Sequence, residues 1–152
     1  MRKFDLYIAN PIQLQIDKED FPFNPELLKT RGYIQMGKGL KEARNILKRV
    51  RSCRGNAYLV PVEYRTTNTS IRQGRKIAMG RYKEIARSGR KLGALDDGYD
   101  DILWWTYCAD DTEAIEKGLV PGRIAISVDK LDGHIRSKKE FDEWVKLSIV
   151  QD

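Results

Sequence analysis

The 152 residues, 41% hydrophobic and 33% charged, are enough for one domain with one core and too apolar for wholesale disorder. The 28 Lys/Arg against 22 Asp/Glu leave a net charge of +6, which points to an anionic partner, and no stretch approaches the roughly 18 consecutive apolar residues of a membrane span. A single histidine and two cysteines are too few for a structural zinc site of four N/S ligands.

Cys53 and Cys108 form no Cys-x-x-Cys motif, so reduced thiols in a reducing compartment are expected. The amino terminus, Met1-Arg2-Lys3-Phe4-Asp5, carries no apolar run of signal-peptide length. Both features suit a cytoplasmic protein.

In chain order, Phe4, Leu6 and Ile8 alternate with Asp5 and Tyr7, predicting a strand over Lys3–Ala9. Asn10-Pro11 breaks it. Ile12, Leu14 and Ile16 then alternate with Gln13, Gln15 and Asp17, the pattern of a half-exposed second strand. A turn-rich loop, Asp20–Pro25, precedes a helical turn at Glu26–Lys29 and a short strand at Tyr33–Met36. Leu40, Ala43, Leu47 and Val50 form one helical stripe over 40–52. After the turn Arg54-Gly55-Asn56, Ala57–Tyr64 is rich in strand formers. Pro61 lies within it and, lacking an N–H, marks an edge position or a bulge.

The longest helix is predicted over 70–92, where Ile71, Ala78, Ile85 and Leu92 are spaced by seven behind N-cap candidates in Thr66–Ser70. Gly74, Gly80 and Gly89 weaken it, each costing roughly 1 kcal/mol against Ala in a helix interior, and a break near Gly89 fits that pattern. An acidic loop, Asp96-Asp97-Gly98-Tyr99-Asp100-Asp101, leads into a buried strand at Ile102–Ala109. Asp110 with Glu113 reads as a capping box for a short helix over 111–117, closed by Gly118. Arg123–Asp129 is the next strand. Ser137 with Glu140 opens a last helix over 137–148, on which Phe141, Trp144, Val145 and Ser148 share a face. The alternation predicts a single α/β or α+β domain, 1–152, with a mixed sheet of about four to six strands carrying helices on one or both faces.

Charge is unevenly spread along this plan. Residues 1–37 hold five Lys/Arg and five Asp/Glu, residues 38–91 hold sixteen and three, and residues 92–152 hold seven and fourteen. In the basic segment the charges sit off the apolar stripes of the two helices. Arg44, Lys48 and Arg51 lie on the first, and Arg72, Arg75, Lys76, Lys83, Arg87 and Arg90 on the second. Such surfaces attract phosphates through counterion release, and nucleic acid, DNA or RNA, is the expected partner. The long helix lacks the bulky apolar residues with which an interfacial helix enters lipid, so no membrane partner is expected.

Other constellations are weaker. Trp104 and Trp105 are adjacent in a strand and must point to opposite faces. If helices cover both faces both rings are core; on an open face Trp105 and Tyr107 become a stacking platform for bases. Gathered around Mg²⁺, the acidic loop 96–101 would serve a metal-dependent nuclease, with Glu63-Tyr64-Arg65 a faint echo of the Glu-x-Lys of such enzymes. Gly37-Lys38-Gly39 before a helix resembles a phosphate-holding turn without a full fingerprint. His134 follows a turn and has no partner readable in sequence. No metal or cofactor is expected. A homo-oligomer joined by basic-to-acidic pairing is the remaining alternative.

Overall fold

The computed structural model describes residues 2–12 and 21–149, so the expected second strand lies, beyond Ile12, outside the described residues. Among the described residues the protein is α+β, with six strands in two three-stranded antiparallel sheets and four α-helices. It divides into two compact units, Met1–Arg65 with Lys138–Asp152, and Thr66–Ser137.

In the first unit the alternating residues at the start of the chain form the central strand β1 (Lys3–Asn10), flanked by β2 (Gly32–Gly39) and β3 (Asn56–Pro61). Phe4, Leu6 and Ile8 are buried in one cluster with Ala43, Ile46, Leu47 and Val50 of α1 (Leu40–Ser52). Pro61 ends β3, which pairs only with β1, so its missing N–H falls on an edge strand as expected. The last helix, α4 (Lys138–Leu147), covers that edge. Trp144 stacks on Tyr58 with ring centroids 5.0 Å apart and donates its Nε1–H to the Leu59 carbonyl at 2.9 Å. The Ser148 hydroxyl accepts from the Leu59 N–H at 2.9 Å. Backbone groups that would otherwise template another strand are thereby satisfied.

The second unit opens on α2 (Ile71–Arg87), whose Ser70 and Gln73 form a reciprocal capping box. Its sheet has β5 (Trp104–Asp110) between β4 (Tyr99–Asp101) and β6 (Arg123–Asp129). Tyr107 and Ala109 of β5 and Ile126 and Val128 of β6 share one face, packed against Ala78 and, around it, Ile71, Met79, Tyr82 and Ile85 of α2. The opposite face carries Trp104, Thr106 and Ser127, with the two hydroxyls 2.7 Å apart and the Arg136 guanidinium 4.5 Å from the Trp104 ring centre. A short α3 (Thr112–Glu116) is capped by Asp111, whose carboxylate accepts from the Ala114 N–H at 3.1 Å.

Four boundaries differ from the sequence-based expectation. The strand expected over Ala57–Tyr64 stops at Pro61, whose missing N–H ends the pairing, and Val62–Arg65 forms a 3₁₀ turn. The long helix ends at Arg87 and not near Leu92, because Gly89 turns to φ 101° and breaks the helical run. Part of the acidic segment is strand: Tyr99–Asp101 pairs with Trp104–Thr106, and Ile102 (φ 64°) and Leu103 make the turn between them. The cap of the short helix is Asp111 and not Asp110. No helix among the described residues is long and apolar enough to cross a membrane.

Candidate nucleic-acid interface

The α2 helix is amphipathic by charge as well as by hydrophobicity. At 100° per residue, Arg72, Lys76, Lys83 and Arg87 fall within an arc of about 60°, and their Cα atoms span about 22 Å of helix. All four are exposed. Among the described residues their side chains make no ion pair or hydrogen bond. The lone acid of the helix, Glu84, lies one turn before Arg87 but about 60° outside the stripe, where it pairs with Arg81 at 3.4 Å; Arg72 and Lys76 have no acid within one turn on the helix. Arg72, Arg75, Lys76 and Lys83, with Met79 between them, line a shallow groove of about 490 Å³.

Two of the expected contact residues on this segment have other partners. Arg75 is half-buried and donates to the carbonyls of Asp96 at 3.0 Å and Leu95 at 2.9 Å, holding the loop that enters the second sheet. Arg90 lies beyond the helix and is paired with the buried Asp111 carboxylate, whose pKa is lowered first by that hydrogen bond. Both are structural cations with part of their charge already spent.

On α1, Lys41, Arg44, Asn45 and Lys48 follow the i, i+3, i+4, i+7 spacing of one face. With Leu40, Lys146 and Ile149 they line an open cleft of about 880 Å³ within the first unit. Arg44 donates from Nε to the Leu147 carbonyl at 3.3 Å, tying α1 to the end of α4. Arg51, near the helix end, is half-buried and not part of this lining. Lys41 and Lys146 were not singled out by sequence reasoning. Lys41 was legible, three positions before Arg44 and seven before Lys48; Lys146 joins only through the tertiary packing of α4.

The remaining constellations resolve into structural roles. Asp5, fully buried, sits where the β1–β2 pairing shifts register. It accepts from the N–H groups of Met36 at 2.8 Å and Gly37 at 2.9 Å, from Arg65 through two bonds of 2.8 Å, and from the Tyr33 hydroxyl. Burial alone would raise its pKa, yet these donors hold it down at about 2. Gly37, at φ 59°, therefore turns its N–H to a carboxylate of the protein itself, which answers the phosphate reading of Gly37-Lys38-Gly39. Glu63-Tyr64-Arg65 ends in the same network, with Arg65 as a counter-ion.

The stacking platform also resolves. Tyr107 is fully buried under α2 and donates to the Ile71 carbonyl, with burial raising its pKa to about 12. Trp105 is half-buried, donates to the Thr69 carbonyl at 2.7 Å and has the Lys130 ammonium 4.3 Å from its ring centre. Neither ring lies on an open face.

In the acidic loop, Asp96 accepts from the N–H groups of Gly98 and Cys108, Asp100 takes the Lys130 ammonium at 2.6 Å, and Asp101 takes the Thr106 hydroxyl at 3.0 Å. Among the described residues these carboxylates do not converge on a point a metal could occupy; the group that does is Asp129, Asp132 and His134. There Asp129 accepts from the Leu131 N–H at 2.7 Å and Asp132 lies 2.5 Å from His134 Nδ1, a hydrogen-bonded turn after β6.

Together these features define an α+β protein with two cationic helix faces, one on each unit. Comparison of the chain with protein-family models, curated proteins and solved structures returned no match.

Proposed function

We propose that the protein binds nucleic acid through the basic helical surfaces of residues 38–91, with the exposed flank of α2 as the principal contact and the cations of α1 as a second. The observation that carries this reading is the stripe Arg72, Lys76, Lys83 and Arg87, whose side chains have no ion-pair or hydrogen-bond partner among the described residues and whose one nearby acid on the helix, Glu84, is paired with Arg81. Solubility needs no such segregation, since a helix gains more from interspersed opposite charges. A stripe of one sign gains when phosphates displace its counterions.

Charge reversal tests the reading. Lys76→Glu, Lys83→Glu and Arg87→Glu in one chain should keep the fold, because all three are exposed, and should weaken binding alike for labelled oligonucleotides of unrelated sequence, read by fluorescence anisotropy. Arg75 is left intact because it holds the 95–96 loop. Unchanged affinity in the triple variant would remove α2 from the interface.

A further inference from the structure

The three glycines that weaken the α2 segment have unequal justifications. Gly74 faces the sheet, and a Cβ there would collide with the Tyr107 hydroxyl. Gly89 adopts φ 101°, a conformation that glycine alone adopts readily, and ends the helix. Gly80 has neither reason. It is exposed in mid-helix with ordinary helical backbone, and a Cβ built on it meets no atom within 4 Å. Glycine is the poorest helix former after proline, so nothing within the unit accounts for it.

Its surroundings supply a reason. Lys76 stands one turn before Gly80, Lys83 one turn after and Arg87 two turns after, so the bare backbone at Gly80 borders the cationic stripe; Glu84, one turn after it on the far side, has its charge taken by Arg81 at 3.4 Å. A side chain there would hold any chain lying between Lys76 and Lys83 off the helix surface. We propose that Gly80 is the point at which the sugar–phosphate backbone of a nucleic acid crosses α2, with phosphates taken by Lys76 and Lys83 on either side and by Arg87 on the next turn. This rests on the nucleic-acid reading above and locates its closest contact. A glycine on a helix face can also admit a second helix, but two copies of this face would set like charges against each other. A polyanion satisfies both the missing side chain and the charge.

The test uses the full chain with Gly80→Ala and Gly80→Gln, two uncharged helix-favouring replacements. Both should raise the melting temperature. Both should weaken binding to labelled single-stranded and duplex oligonucleotides, Gln by at least about tenfold, the scale on which one charge-assisted contact acts. If both variants melt higher and bind as the parent does while the Lys76/Lys83/Arg87 reversal loses binding, the crossing point is wrong and the nucleic-acid reading stands. If the parent binds no oligonucleotide, both fall. A lower melting temperature, or light scattering in which Gly80→Gln turns a parental dimer into a monomer, would overturn the proposal in favour of a structural or self-association role.

Discussion

Asp5 is the residue on which the first unit depends most directly. The alternation of β1 groups it with Tyr7, opposite Phe4, Leu6 and Ile8, and gives no sign that it is buried. What buries it is the shift in register against β2, a long-range feature that brings the N–H groups of Met36 and Gly37 and the side chains of Tyr33 and Arg65 to one carboxylate. Because its folded pKa of about 2 lies below the ordinary value of 3.8, the charged form is bound more tightly in the folded state. The stabilisation is fully present above about pH 4 and is lost as pH falls towards about 2. Thermal melts across that range should show the loss, and Asp5→Asn should flatten it while costing about 2–3 kcal/mol at neutral pH, the free energy that the lowered pKa represents. A variant with parental stability and an unchanged acid limb would refute this account of the network.

Elements were more legible than single residues where periodicity and caps coincide. The stripes of α1 and α2, the strand Arg123–Asp129 and the last helix all follow from spacing that burial enforces. The end of α2 was only partly legible: Gly89 marked a weak point, but Leu92 continues the seven-residue spacing and only the left-handed turn at Gly89 overrides it. That boundary has a functional consequence. Arg87 is exposed on the helix, whereas Arg90, three positions on, is held by Asp111. Arg87→Ala should therefore lower affinity for oligonucleotides and leave the melting temperature unchanged; Arg90→Ala should lower the melting temperature and leave affinity nearly intact. Gly74→Ala belongs with the second kind, since its methyl meets Tyr107 and overpacking of this sort costs about 1–3 kcal/mol. Paired melts and titrations of the three variants separate contact from scaffold, and an Arg90→Ala chain that melts normally but binds poorly would return that residue to the interface.

At the scale of the whole molecule, the sequence displays its charge asymmetry but not how folding distributes it. Three segments of the chain carry very different charges, yet the basic one is cut by the boundary at Arg65, so α1 falls in one unit and α2 in the other. The second unit holds twelve Lys/Arg against eleven Asp/Glu, with eight of those cations at 66–91; near-neutral in sum, it is strongly polarised along its sequence. Net charge therefore understates what a phosphate meets at α2. The number of cations that act together can be counted from the salt dependence of binding, since each neutralised phosphate of a duplex contributes about −0.9 to the slope of log K against log salt. The α2 stripe of Arg72, Lys76, Lys83 and Arg87 should give a slope of about −4. Replacing Arg44 and Lys48 by Ala tests whether the cations of α1 contribute as well, and replacing Lys76 and Lys83 instead should bring the slope to about −2. Should the first pair leave the slope untouched while the second lowers it, α2 alone engages the duplex and the cations of α1 lie outside the interface. A slope near zero in the parent would mean that phosphates are not what these helices bind.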